Sequence, residues 1–265
     1  SCDAFYGVAD KPSDNTQLTS AKQHRPFGDD SNTWKSFPVQ AAAFAFADSH
    51  PKEQLGVFAM ETSTEGKRVF IVASYGEFWR RYRKFCGEKR VYYEVIRETS
   101  PCHLYFDLEY KTALNPDAVG KAMTESLVAF VTGQLWELFQ ARVEQVTVQD
   151  SSTAAKFSSH VVIRLEDGTA FTNNRHCGAF VRDLVATLNQ RREMGDPEAT
   201  KLFIRTEEPD GLPFGMPATL IDTAVYTRNR CFRLQGSHKF GKTARLSVAV
   251  DAVEKQHQEG LESFD

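Results

Sequence analysis

The segment His103-Leu104-Tyr105-Phe106-Asp107-Leu108-Glu109 decides how this chain is read. On a strand, residues two apart share a face. Asp107 and Glu109 therefore point one way, while Leu104, Phe106 and Leu108 point the other way into a core. Neighbouring carboxylates repel unless a cation lies between them, and hard oxygen ligands at this spacing suit Mg²⁺ or Mn²⁺. The D-x-E pattern alone is common, and it also fits an exposed strand edge with two solvated acids.

Working outward, Lys156-Phe-Ser158-Ser-His160-Val-Val-Ile reads as a second strand. It puts a cation, a hydroxyl and an imidazole on one face. Such a row suits a triphosphate, which accepts charge-assisted hydrogen bonds; it equally describes the polar face of an edge strand. A third stretch starts at Ile221-Asp222 and continues through Val225-Tyr-Thr-Arg228-Asn-Arg230-Cys-Phe-Arg233 to Lys239, Lys242 and Arg245. From Asp222 to Arg245 it holds six Lys or Arg and one acid, Asp222 itself. This excess fits phosphate contact, although a solvated basic hairpin has the same composition. Together the three stretches supply three acids, a phosphate-binding row and a basic turn, the parts needed for two-metal nucleotidyl transfer.

The 265 residues are 41% hydrophobic and 25% charged, with a formal net charge of -3. That is a globular composition without a global pull toward nucleic acid. The five cysteines lie far apart and form no C-x-x-C pair, which argues against a disulfide framework or a zinc ribbon within these residues. No apolar run approaches the roughly 20 residues that span a bilayer, and no secretory or transit segment is visible at the start.

Residues 1–31 read as an irregular arm. The pattern then predicts a helix near 33–48 with Pro38 in its early turns, strands at Val57–Met60 and Val69–Ala73, and a helix capped by Ser74 with Glu77. Strands follow at Val91–Ile96 and Cys102–Tyr110. A long helix is expected to begin at Asn115 and Pro116, ahead of strands at Val146–Gln149 and Phe157–Leu165 and a helix over about 173–192. Residues 193–218, with four prolines, are expected to form a loop. Short strands at Ile221–Asp222, Cys231–Gln235 and Leu246–Val250 complete an α+β order, followed by a charged tail from 251.

Tyr105-Phe-Asp-Leu-Glu109, Phe157-Ser-Ser-His160 and Val225-Tyr-Thr-Arg-Asn-Arg-Cys-Phe-Arg233 resemble the three motifs of the archaeo-eukaryotic primase superfamily. Trp34 through Phe46, Tyr75-Gly-Glu-Phe-Trp79 and Tyr93-Glu-Val-Ile96 extend the likeness, in the same order, over roughly residues 32–245. The resemblance implies an RRM-like catalytic sheet packed with helices and joined to a smaller α/β module, the two intertwined over 32–250. It implies that Asp107, Glu109 and Asp222 bind two Mg²⁺ or Mn²⁺ ions. Lys156, Ser158, His160, Arg233 and Lys239 would hold the triphosphate of a dNTP or NTP, with Arg68 a further nucleotide contact. Tyr93 would lie near the sugar. Gln40 would touch the single-stranded DNA template, and Arg228 and Arg230 would meet DNA.

Members make and extend primers and bypass damaged templates. The resemblance thus implies a monomeric enzyme of the nucleus, and of the mitochondrion, working on template and primer, with a single-strand-binding protein engaged through a region outside this chain and no membrane partner. Two departures stand out. Cys231 occupies a position where a relative carries Asn, and these residues lack the ligands of the zinc module that supports primer initiation. Extension is therefore expected to outweigh initiation. A non-catalytic single-strand-binding domain and a two-metal nuclease are the alternative readings.

Overall fold

Both alternating segments form strands, and they pair with each other. The computed structural model describes residues 18–20, 32–206 and 217–249. In chain order the elements are β1 (Leu18–Ser20), β2 (Trp34–Phe37), α1 (Gln40–Asp48), β3 (Leu55–Glu61), β4 (Arg68–Ser74), α2 (Tyr75–Tyr82), β5 (Tyr92–Ile96) and β6 (Leu104–Lys111). Then come α3 (Gly120–Phe139), β7 (Val143–Asp150), β8 (Lys156–Leu165), β9 (Thr169–Phe171), α4 (Asn174–Glu193), α5 (Pro197–Thr200), β10 (Phe203–Arg205), β11 (Pro217–Thr219), β12 (Arg230–Arg233) and β13 (Ser247–Val248). The fold is mixed α+β, with antiparallel sheets packed against helices.

One sheet has the order β13-β7-β8-β6. Leu104, Phe106 and Leu108 of β6 are buried with Val161 and Ile163 of β8, under Met123, Leu127, Val131 and Leu135 of α3 and Phe180, Leu184 and Leu188 of α4. The α3 residues recur every four positions, so one stripe of that helix faces the sheet. Leu127 is fully buried. Leu127→Ala is expected to destabilise the fold by about 3 kcal/mol through lost transfer energy and a residual cavity, read as a lower urea midpoint with an unchanged slope.

The other sheet has the order β12-β5-β3-β4-β2. Its strands alternate cleanly. Val57, Ala59, Val72, Tyr93 and Val95 pack against Ala43 and Ala47 of α1, where small side chains let helix and sheet approach closely. Phe58, Ile71, Ala73 and Tyr92 pack against Phe78 and Tyr82 of α2 on the opposite face. β12 comes from far down the chain yet pairs with β5, so the two sheets are threaded together and a cleft lies where they meet.

The Ser74 cap forms, its side chain accepting from the Glu77 N–H, and Asn173 caps α4. Several expectations are corrected. Residues 34–37 are a strand, not helix, because the residue before Pro38 is driven to extended backbone; α1 starts only at Gln40. The long helix starts at Gly120, not at Asn115. The Asn115 side chain instead accepts from the Arg205 N–H at 2.7 Å and donates to its carbonyl at 3.0 Å. A Cβ at Gly120 would come within 2.2 Å of the Phe157 ring. The 193–218 stretch is not wholly loop: α5 lies within it, and β10 and β11 pair. Ile221 makes a single bridge to Leu108 rather than a strand. In the arm, Leu18–Ser20 pairs with β9; the rest of it and the tail lie outside the described residues. No helix among the described residues is long and apolar enough to cross a membrane.

Candidate active site

The β6–β8 register sets Asp107 opposite His160, Glu109 opposite Ser158 and Lys111 opposite Lys156. These alternate residues face away from the α3–α4 core. Ile221 bridges the far edge of β6, and the Asp222 N–H donates to the Asp107 carbonyl at 2.8 Å. Backbone pairing alone thus brings the third acid beside the first two. Asp222 also caps a short turn, its Oδ1 accepting from the Ala224 N–H at 2.8 Å.

A cavity of about 460 Å³ opens between the sheets. Asp107, Glu109, Ser158 and His160 line one wall. Arg68, Tyr93, Arg233 and Lys239 line the other, with Gln40, Arg228 and Arg230 also bordering it. Of the residues singled out by sequence, Lys156 and Asp222 do not line this space. Lys156 forms an ion pair with Glu109, and Asp222 is tied to Asp107 through its backbone N–H. Cys231 does line it. Among the described residues, no three His, Cys, Asp or Glu side chains already stand together as an ion cage.

Asp107 is largely buried and its Oδ1 has no hydrogen-bond partner. Burial, then the charges of Glu109 and Asp222, push its carboxyl up to about 6, against the pull of Lys156 and Lys239. His160 Nε2 lies 3.8 Å away, beyond hydrogen-bond reach. Burial, then the cations Arg233 and Lys239, pull His160 down to about 3. It is therefore neutral near pH 7, a hydrogen-bonding group rather than a cation. Its ring stacks on Phe232 at 4.2 Å, a contact that joins the two sheets.

Arg233 is buried at 8% exposure. Its Nη2 donates to Ser151 Oγ at 3.3 Å, while its Nε has no partner. Burial lowers its pKa, and Tyr93, Asp107 and Glu61 partly oppose that. Arg68 pairs with Glu61 at 3.3 Å and lies over the Tyr93 ring. Arg228 donates to Glu98 at 2.5 Å, with most of its side chain exposed.

Sequence reasoning missed Glu61, Ser151 and Phe232. Glu61 ends β3 one residue beyond the apolar run that marked that strand. Ser151 hydrogen-bonds Ser158 at 3.2 Å, a contact across the β7–β8 connection. Phe232 sat inside the basic motif, but nothing in that motif pointed to His160.

No protein-family profile matches this chain. Curated proteins do. It is 36% identical over 242 residues to the DNA-directed primase/polymerase protein of Danio rerio, covering 83% of this chain and 46% of that protein. The proteins of the same name from Mus musculus and Homo sapiens are 36% and 35% identical over 258 and 274 residues. The chain spans about half the length of the curated relatives it matches.

Proposed function

Because this chain is a homologue of the vertebrate DNA-directed primase/polymerase proteins over about half their length, we propose that it is the nucleotidyl-transferring core of a template-directed polymerase. The observation that carries this reading is the largely buried Asp107, whose Oδ1 has no hydrogen-bond partner, on one wall of a cavity whose other wall is Arg68, Arg233 and Lys239. A carboxylate buried without a partner is costly. Glu109 and Asp222 add their negative charge to that of Asp107, and carboxylates so placed offer hard oxygen ligands of the kind that Mg²⁺ or Mn²⁺ fits. Asp107, Glu109 and Asp222 are the residues that would hold such ions. When bound, the ions would supply activation of a primer 3′-hydroxyl and neutralisation of a leaving pyrophosphate.

The chain's own groups do the positioning. Arg233 and Lys239 hold the triphosphate by charge, and Arg68 approaches from the β3–β4 hairpin. Neutral His160 and Ser158 give directed hydrogen bonds without adding charge. Tyr93 closes the cavity beside the sugar, and its burial keeps the hydroxyl protonated. Most of the catalysis on this reading is orientation and charge neutralisation. Template contact falls to Gln40 and the exposed Arg228, and on this reading the protein works in the nucleus. Damage bypass is the same extension reaction on altered templates.

The experiment is extension of a labelled primer on single-stranded template with dNTP or NTP across a Mg²⁺ and Mn²⁺ series. Growth of the strand supports the reading. Shortening identifies a nuclease, and metal-independent binding without growth identifies a binding domain; either outcome overturns it. The logarithm of DNA affinity is expected to fall linearly with log salt. Arg228→Ala should reduce that slope by about one, measured by fluorescence anisotropy at several salt concentrations.

A further inference from the structure

Glu61 ends β3 opposite Arg68 and is buried at 9% exposure. Its carboxylate accepts from three separate places. Oε2 takes the Tyr93 hydroxyl at 2.9 Å and the Phe240 N–H at 2.9 Å. Oε1 takes Arg68 Nη2 at 3.3 Å. Phe240 directly follows Lys239, so this bond anchors the turn that presents Lys239 to the cavity. Tyr93 and Phe240 lie on unconnected stretches of chain, and in this corner the Glu61 Oε2 atom is what they share.

An anion here has an electrostatic cost. It stands beside a cavity whose cations are arranged for a polyanion, so by charge alone it weakens triphosphate binding. Its three bonds act in the opposite direction, since they fix the groups that would meet sugar and phosphate. We propose that Glu61 is a positioning residue that locks Tyr93 and the Lys239 turn to each other, so that sugar discrimination and triphosphate grip depend on one carboxylate. This rests on the nucleotidyltransferase reading of the same cavity.

The two effects of Glu61 have opposite signs, which makes them separable. Were charge the whole story, neutralising Glu61 would lower the nucleotide KM. With the clamp dominant, Glu61→Ala raises KM by about tenfold, the scale expected for loss of hydrogen bonds to a charged group. It also shifts the deoxyribo- to ribonucleotide incorporation ratio by about threefold or more toward ribonucleotides, because an unanchored Tyr93 ring yields to a 2′-hydroxyl. Glu61→Gln can keep Tyr93 and Phe240 on its one remaining oxygen while losing Arg68, so its KM lies between wild type and Glu61→Ala.

The experiment is steady-state primer extension with dNTP and NTP on wild type, Glu61→Ala, Glu61→Gln, Tyr93→Phe and Glu61→Ala/Tyr93→Phe, with thermal midpoints alongside. Glu65→Ala, at the exposed hairpin turn, serves as the control and is expected to match wild type. The clamp also requires that Glu61→Ala shift the sugar ratio less in the Tyr93→Phe background than in wild type, since the bond is already absent there. A KM at or below wild type in folded Glu61→Ala, with an unchanged sugar ratio, overturns the proposal while leaving the polymerase reading intact. If Glu61→Ala does not fold, Glu61→Gln decides on KM alone, and a KM at or below wild type overturns the proposal. No incorporation by wild type overturns the polymerase reading itself, and the clamp with it.

Discussion

Asp107→Asn abolishes strand extension, by about a thousandfold or more, while making the metal-free protein more stable. The loss follows from the role proposed for the acid: removing a group that fixes transition-state charge costs several kcal/mol. The gain follows from the apo site. Asp107 is largely buried, its Oδ1 lacks a partner, and its carboxyl is raised from 3.8 to about 6 by burial first and by Glu109 and Asp222 next. A raised carboxylate pKa means that the folded state binds the proton more tightly than the unfolded chain. Stability therefore falls as pH climbs from about 4 to about 6 and stays reduced above that window, by about 3 kcal/mol. Asparagine carries no charge to bury and escapes this penalty. The checks are urea titrations in chelator at pH 4 and pH 7, and extension assays at saturating nucleotide. The variant should be more stable than wild type at pH 7, with the gap shrinking at pH 4. A variant less stable at both values would mean that Asp107 serves the fold rather than an ion.

How much of this was readable beforehand depended on the range of the interactions. The two strands bearing Asp107, Glu109, Ser158 and His160 were legible because a period of two is local, and their shared wall follows from the register of β6 and β8. The Ser74 cap was legible for the same reason. Helix starts were not. Phe37 and Pro38 carried a local veto that a run of Ala and Phe obscured, and Asn115 was diverted by a partner 90 positions away. Asp222 was grouped with the other acids from its basic surroundings, while its place beside Asp107 comes from a single bridge with two backbone bonds, not from a strand. Glu61 was the least legible. Its partners Arg68, Tyr93 and Phe240 are scattered through the chain, and each has an unremarkable local pattern. The α+β class needed only element order, while the threading of β12 back onto β5 needed the assembled sheet.

Arg233→Ala raises the nucleotide KM by roughly 10- to 100-fold, the equivalent of about 1.5–3 kcal/mol for a lost charge-assisted contact, and leaves the fold almost as stable as before. The second half of that expectation distinguishes a binding cation from a structural one. An arginine that holds a fold together spends its donors on carboxylates and carbonyls. Arg233 is buried and hydrogen-bonds Ser151 through Nη2, but its Nε has no partner. Burial already works against its charge. A buried cation so incompletely paired costs the apo protein stability, so its removal relieves about as much as it takes away. On the polymerase reading, a triphosphate entering between Arg233 and Lys239 would supply the missing partner. Arg233→Lys should recover only part of the affinity, because an ammonium keeps the charge but loses the planar fork. Inhibition by inorganic triphosphate should weaken in parallel with the rise in KM, since the contact is to phosphate and not to base or sugar. An Arg233→Ala protein with an unchanged KM and a much lower unfolding midpoint would assign this residue to the core instead.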